Sequence, residues 1–209
     1  MHLPDGMLPL DQALVYWIIV ILCLGIFFFR LSRLEEDQRV RRLVLTALLT
    51  AATIVVSAIT VPSPFGIPMH FFLIPLVVII LGPFSGVTVT FLALLIQSLM
   101  AGLGGVTVIG PNTFAIGIAL GLSTYAIYKI ISKFNESAGV FTGTLLGIFI
   151  AALSQILILV IGGLATFETL LPIFTVYYLF IGVIEGFITM FIVSLIEKLK
   201  PEILTLEKV

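Results

Sequence analysis

The sequence predicts an all-α membrane protein, a bundle of seven transmembrane helices with the N-terminus outside and the C-terminus cytoplasmic. Three observations carry that expectation. Of 209 residues, 60% are hydrophobic and 10% are charged, too few polar side chains to cover a water-facing globule. The apolar residues gather into runs that approach the roughly 20 a helix needs to cross about 30 Å of hydrocarbon. All ten Lys and Arg residues fall in stretches that seven crossings bring to one face, and such residues accumulate on the cytoplasmic side.

The first run, Leu14–Phe29, follows an opening that holds His2, Asp5 and Asp11 but no Lys or Arg. A cleaved signal needs basic residues before its apolar core and small residues at a cleavage site. Neither is present, so the Met1 terminus is expected to survive. Arg30, Arg33, Arg39, Arg41 and Arg42 separate this run from the second, Leu43–Val61. The third and fourth, Phe71–Leu81 and Val87–Met100, are short, and Gly82-Pro83-Phe84-Ser85-Gly86 lies between them. Proline removes a helical donor and glycine permits a turn, which predicts two tilted helices joined tightly.

The fifth run, Thr113–Ile131, meets Lys129 and Lys133 at its end. The sixth is Val140–Gly162, and the seventh, Pro172–Ile196, is followed by Lys198, Lys200 and Lys208. Six or eight crossings would scatter these charges over both faces. The opposite face keeps only Asp5, Asp11 and Glu168 as fixed loop charges and repels no cation.

With one cysteine, Cys23, the chain has no internal disulfide and no Cys-based metal site. It also lacks the glycine–lysine phosphate loop of P-loop ATPases. Any ATP chemistry must therefore lie in partners.

The opening Met1-His2-Leu3-Pro4-Asp5-Gly6 has a chemical reading. A histidine at position 2 brings the terminal amine, its own backbone nitrogen and an imidazole nitrogen within reach of one ion. A fourth nitrogen completes a square, an arrangement suited to Ni(II) or Cu(II), and imidazole serves late divalent metals generally. His70 is the only other histidine of the chain. The bland alternative makes both histidines interfacial residues.

Glu185 is the carboxylate well inside a predicted span, and an ionisable group at that depth points to function. Its expected part is structural or gating, with hydrogen bonds to Ser, Thr or Gln97 of neighbouring helices, and direct proton coupling is the rival. Ala47-Leu48-Leu49-Thr50-Ala51 places small residues four apart, which lets another helix approach closely. Ala47 and Ala51 are therefore candidate contacts to a coupling subunit, with packing inside the bundle as the alternative.

Met1-His2-Leu3-Pro4-Asp5-Gly6-Met7-Leu8, the stretch Gly104-Gly105-Val106-Thr107-Val108-Ile109-Gly110-Pro111-Asn112-Thr113-Phe114, and Glu185-Gly186-Phe187-Ile188-Thr189 resemble the substrate-specific membrane subunit of energy-coupling-factor transporters for cobalt or nickel. The resemblance covers essentially the whole chain. It implies capture of Co(II) or Ni(II), as transported substrate, in an outward pocket plugged by the N-terminal segment. Met1, His2 and His70 carry over as ligands, and a coupling membrane subunit with two cytoplasmic ATPase subunits would drive release inward.

On this reading the chain is one membrane domain: residues 1–13 form a metal-binding plug, 14–196 the helical bundle and 197–209 a cytoplasmic tail. Asn112 would orient His2 or His70, or else cap helix five. Asp5 would hold the plug by accepting a hydrogen bond, or else sit solvated in a loop. The sequence departs from the family pattern at Phe65-Gly66-Ile67-Pro68-Met69 before His70, at Leu103, and at Ala115-Ile116, positions that bear on ion choice. Two other functions fit the composition: a secondary cation or small-solute transporter, and a vitamin-binding subunit of the same transporter class.

Overall fold

A computed structural model describes residues 3–59 and 70–204. Among these residues the regular structure is entirely helical. The helices are α1 (Leu10–Ser32), α2 (Glu36–Ala58), α3 (Ile74–Leu81), α4 (Pro83–Ala101), α5 (Ile109–Ile131), α6 (Glu136–Ile161) and α7 (Phe167–Leu199). A 3-10 turn, Pro201–Ile203, follows.

Six of them are long and apolar enough to cross a membrane, and α3 is not. Its eight residues rise only about 12 Å, less than half the hydrocarbon thickness. The third predicted span is thus a half-helix, entered from the irregular residues 70–73. So short a helix has little stability of its own, and α3 is held by burial: all eight of its residues lie inside the bundle.

The other boundaries follow from local chemistry. Helix α2 begins at Glu36, ahead of the predicted Leu43, because Glu36 and Asp37 in its first turn complement the positive end of the helix dipole. Helix α7 begins at Phe167, where the Thr166 side chain accepts from the Thr169 N–H, and Pro172 is carried inside the helix. The α3–α4 break narrows to Gly82 alone. At φ +80° it ends one helix and starts the next, with Pro83 at the first position of α4, where its missing N–H has no helical use. Within α5, residues Phe114–Ala119 adopt π-helical geometry.

The core centres on α3. Val77 and Val78 meet Val89 of α4, Ile116 and Leu120 of α5, Ile148 of α6 and Ile181 of α7. The hydroxyls of Thr46, Thr50 and Thr53 face inward on α2 and donate to the carbonyls of Arg42, Thr46 and Leu49, so they need no partner from another helix. Outward, Leu14, Ile18 and Leu22 of α1 and Val44, Leu48 and Val55 of α2 are exposed, a surface suited to lipid.

The basic segments share one end of this bundle. Leu81 of α3, Tyr128 of α5, Val140 of α6 and Val193 of α7 cluster there with Ile203 and Leu204. A cavity at the same end is lined by Arg30, Arg42, Gly82 and Tyr125. Of the described residues after α7, Ile203 and Leu204 pack against this end of the bundle.

Candidate metal site

The segment ahead of α1 folds back into the bundle. The Leu3 N–H donates to Asn112 Oδ1 at 3.2 Å, and the Leu3 carbonyl accepts from the Gly105 N–H at 3.0 Å. Leu3 and Leu8 are buried against Val108, Ala115 and Ile158, so apolar burial and main-chain pairing act together. Gly105 is required by this approach. A Cβ there would overlap the Asp5 backbone nitrogen and carboxyl group.

Asp5 completes the clasp. Its Oδ2 accepts from the Val106 N–H at 3.1 Å, and its Oδ1 accepts from the Thr107 N–H at 2.8 Å and the Thr107 hydroxyl at 2.6 Å. The hydrogen bonds from the Thr107 hydroxyl and then the Thr107 N–H hold the carboxyl below its ordinary value of 3.8, because they favour the charged form. Two residues of α1 make further long-range hydrogen bonds here: the Trp17 indole donates to the Thr107 carbonyl at 3.0 Å, and the Gln12 amide donates to the Ile158 carbonyl of α6 at 2.9 Å.

Asn112 does not cap its helix, since α5 starts at Ile109 with Val108 in the cap position. Its side-chain oxygen is committed to the plug. Ile116, four residues further along α5, lines a small chamber with His70, Thr53, Ser57, Thr90 and Gln97. The first turns of α5 therefore touch both the plug and the surroundings of His70. The His70 ring, half-buried, meets Phe72 edge-on with centroids 5.4 Å apart, and Phe72 stacks on Tyr178 at 6.3 Å.

Glu185 sits in α7 with 3% of its surface exposed. Its partners differ from those expected. The Phe72 N–H donates to one carboxyl oxygen at 2.9 Å and the Leu73 N–H to the other at 2.7 Å. Gln97 is engaged elsewhere, donating to Ser57 Oγ at 2.7 Å and the Ile54 carbonyl at 3.3 Å. Leu73 has φ +61°, a left-handed conformation that costs a non-glycine residue about 1–2 kcal/mol. Glu185 thus anchors the strained turn that launches α3 and serves the otherwise unpaired donors at its start.

Met1, His2 and residues 60–69, which include the stretch just before His70, lie outside the described residues. Among the described residues, no three His, Cys, Asp or Glu side chains gather around one point. Two buried oxygens near the plug have no hydrogen-bond partner among the described residues, Thr113 Oγ1 and Gln155 Oε1. Gln155 lines a cavity of about 370 Å³ together with Leu3, Met7 and Tyr178. Ala47 and Ala51 both face outward from α2, so packing inside the bundle does not explain them.

Sequence reasoning missed Trp17, Thr107 and Gln155. A lone tryptophan in an apolar run reads as an interfacial anchor, and nothing in the sequence pairs it with a loop ninety residues away.

The comparisons agree with this architecture. The family described as "Cobalt uptake substrate-specific transmembrane region", CbiM, matches residues 2–203. The chain is 31% identical to the cobalt transport protein CbiM of Thermosipho melanesiensis over 95% of its own length and 87% of that protein's. It is 32% identical to a fused nickel transport protein, NikMN, of Archaeoglobus fulgidus, over 98% of this chain and 68% of that one. A crystal structure of a transition metal transporter superposes with a TM-score of 0.82 at 25% identity, covering 95% of this chain and 93% of that one.

Proposed function

The chain belongs to the CbiM family of cobalt uptake substrate-specific transmembrane regions, and from that premise we propose that it is the ion-capturing subunit of an ATP-driven energy-coupling-factor importer. Its substrate is Co(II) or Ni(II). The ligands are the Met1 amine, the His2 backbone and imidazole nitrogens, and the His70 imidazole. Nitrogen donors of this kind suit late divalent metals and must be unprotonated to coordinate.

The observation that carries the reading is the hydrogen bond between Leu3 and Asn112. It fixes the residue immediately after His2 to the turn of α5 whose next turn borders His70. The unpartnered Gln155 Oε1 at the cavity beside Leu3 is suited to accept from an imidazole N–H or a metal-bound water, the kind of contact that orients a ligand.

The gathering of Arg30, Arg42, Lys129 and Lys198 segments at one end of the bundle supports a cytoplasmic C-terminus and an outward-facing plug. A coupling subunit approaches α2 at Ala47 and Ala51, two ATPase subunits supply the energy, and Glu185 acts as the gate holding α3 in place. Elemental analysis of the purified chain tests the site. We expect about one cobalt or nickel per native chain and none when one extra residue precedes Met1, because the extension displaces the amine and His2 together. Equal metal content in both would defeat the N-terminal site.

A further inference from the structure

The cavity of about 370 Å³ beside the plug is bounded by the segment ahead of α1, by α6, by the α6–α7 loop and by α7. Leu3 and Met7 form its plug side, Gln155 its α6 side, Ala165 its loop side, and Phe174 and Tyr178 its α7 side. Its rim is accessible: Met7 is 37% exposed, and Leu164 of the loop is 45% exposed. At about 30 Å³ per water, the space takes on the order of ten waters, enough for a cation together with its hydration shell.

Its walls reach toward both halves of the ligand set proposed above. Leu3 follows His2 directly in the chain. Tyr178 stacks on Phe72 with centroids 6.3 Å apart, and Phe72 in turn meets the His70 ring edge-on at 5.4 Å. Gln155 supplies a polar contact between these walls. It is only 2% exposed, it lines the cavity, and its Oε1 has no hydrogen-bond partner among the described residues. Leaving a buried acceptor unpaired is costly, and an amide oxygen lacks only a donor. Waters around a divalent cation are donors polarised by its charge. The Phe174 and Tyr178 rings, 5.4 Å apart, add aromatic surface that attracts cations through the ring quadrupole.

We propose that this cavity is the entry vestibule of the metal site, where a hydrated divalent cation pauses with one of its waters donating to Gln155 Oε1 before it passes between Leu3 and Tyr178. This rests on capture of the ion at the plug and gives that capture a route. Gln155 is a positioning residue for the arriving ion and no ligand of the bound one. It stabilises the ion partway along, which lowers the barriers on both sides. A group of that kind changes association and dissociation alike and leaves their ratio, the affinity, unmoved. A group that holds the final ligands changes the ratio.

Stopped-flow mixing of nickel(II) with the full chain in detergent, its native terminus intact, tests this beside equilibrium titration calorimetry. Gln155→Leu is expected to slow association and dissociation each by about tenfold, the rate equivalent of one hydrogen bond to a charged group, with affinity unchanged. Leucine also removes the buried orphan, so the melting temperature should equal or exceed the parent's. Ala165→Trp fills the cavity from the loop between α6 and α7, and it too should slow both rates at unchanged melting temperature. The parent's association rate in a folded Gln155→Leu chain overturns the proposal. A fall in affinity carried by faster dissociation alone also overturns it, since that result places Gln155 among the groups that hold the final ligands. An Ala165→Trp chain that binds as fast as the parent overturns it independently. A native chain that binds no nickel fails the capture site itself, a result distinct from any difference in rate between binding chains.

Discussion

The backbone N–H of Leu3 donates to the side-chain oxygen of Asn112 across 109 positions of sequence. This one bond ties the segment ahead of α1 to the start of α5. Asn112→Leu removes the acceptor at a buried position. We expect nickel affinity to fall by about 10–100-fold, the usual effect of losing a contact that orients a ligand, with helix content unchanged. Titration calorimetry beside circular dichroism checks both.

Gly105→Ala inserts a methyl group where Asp5 lies. The plug has to shift, while the bundle below it does not. Metal binding should therefore fail with thermal unfolding of the bundle nearly unchanged; a chain that still holds stoichiometric metal would show that the clasp tolerates displacement.

The clasp has its own pH window. Because the folded value of Asp5 is lowered from 3.8, its stabilisation is present above the ordinary carboxylate range and is lost as pH falls through the lowered value. Amide exchange protection at Val106 and Thr107 should hold from pH 8 to pH 5 and collapse only in stronger acid. Asp5→Asn should reduce that protection between pH 8 and pH 5. Metal affinity, by contrast, should already weaken between pH 8 and pH 5, since protons compete for nitrogen ligands.

Replacing Glu185 by Leu strands the Phe72 and Leu73 donors in the interior. A buried donor without an acceptor costs about 1–3 kcal/mol, so the variant, with two such donors, should lose about 2–6 kcal/mol of stability, read by thermal melting. Glu185→Gln keeps one acceptor and should lose less. Uptake by the Gln variant across pH separates gating from proton coupling: a profile parallel to the parent removes the proton-coupled reading.

Leu at both Ala47 and Ala51 adds bulk to an outward face of α2 without entering the core. Co-purification with the coupling and ATPase subunits should drop sharply, while the isolated chain keeps its melting temperature. Intact assembly with both substitutions would move the partner surface elsewhere.

The helical content, the number of helices and the gathering of basic residues at one end were legible in composition and in run length, because hydrocarbon thickness constrains both. The half-helix was not. Phe71–Leu81 is apolar throughout, and only the contact between Glu185 and the Phe72–Leu73 backbone reveals that its first residues are not helical. That contact spans more than a hundred residues and leaves no periodic trace. Asn112 was legible as a polar residue near the outer face, yet its partner is a main-chain N–H, which any residue but proline could supply. The clasp of Asp5 on Val106 and Thr107 was half-readable for the same reason: the acceptor was visible, and two of its three donors were backbone.

The π-helical stretch at Phe114–Ala119 carries one more residue per turn than the α-helix around it. Winding these six residues as regular α-helix, with none removed, would rotate everything ahead of them by about 100° and push it outward by about 1.5 Å. Asn112 would swing away from Leu3 while Thr124 and Tyr128 stayed seated in the bundle. The extra residue acts as a phase adjustment, letting one rod present a correctly aimed amide at its outer end and a correctly packed face at its inner end.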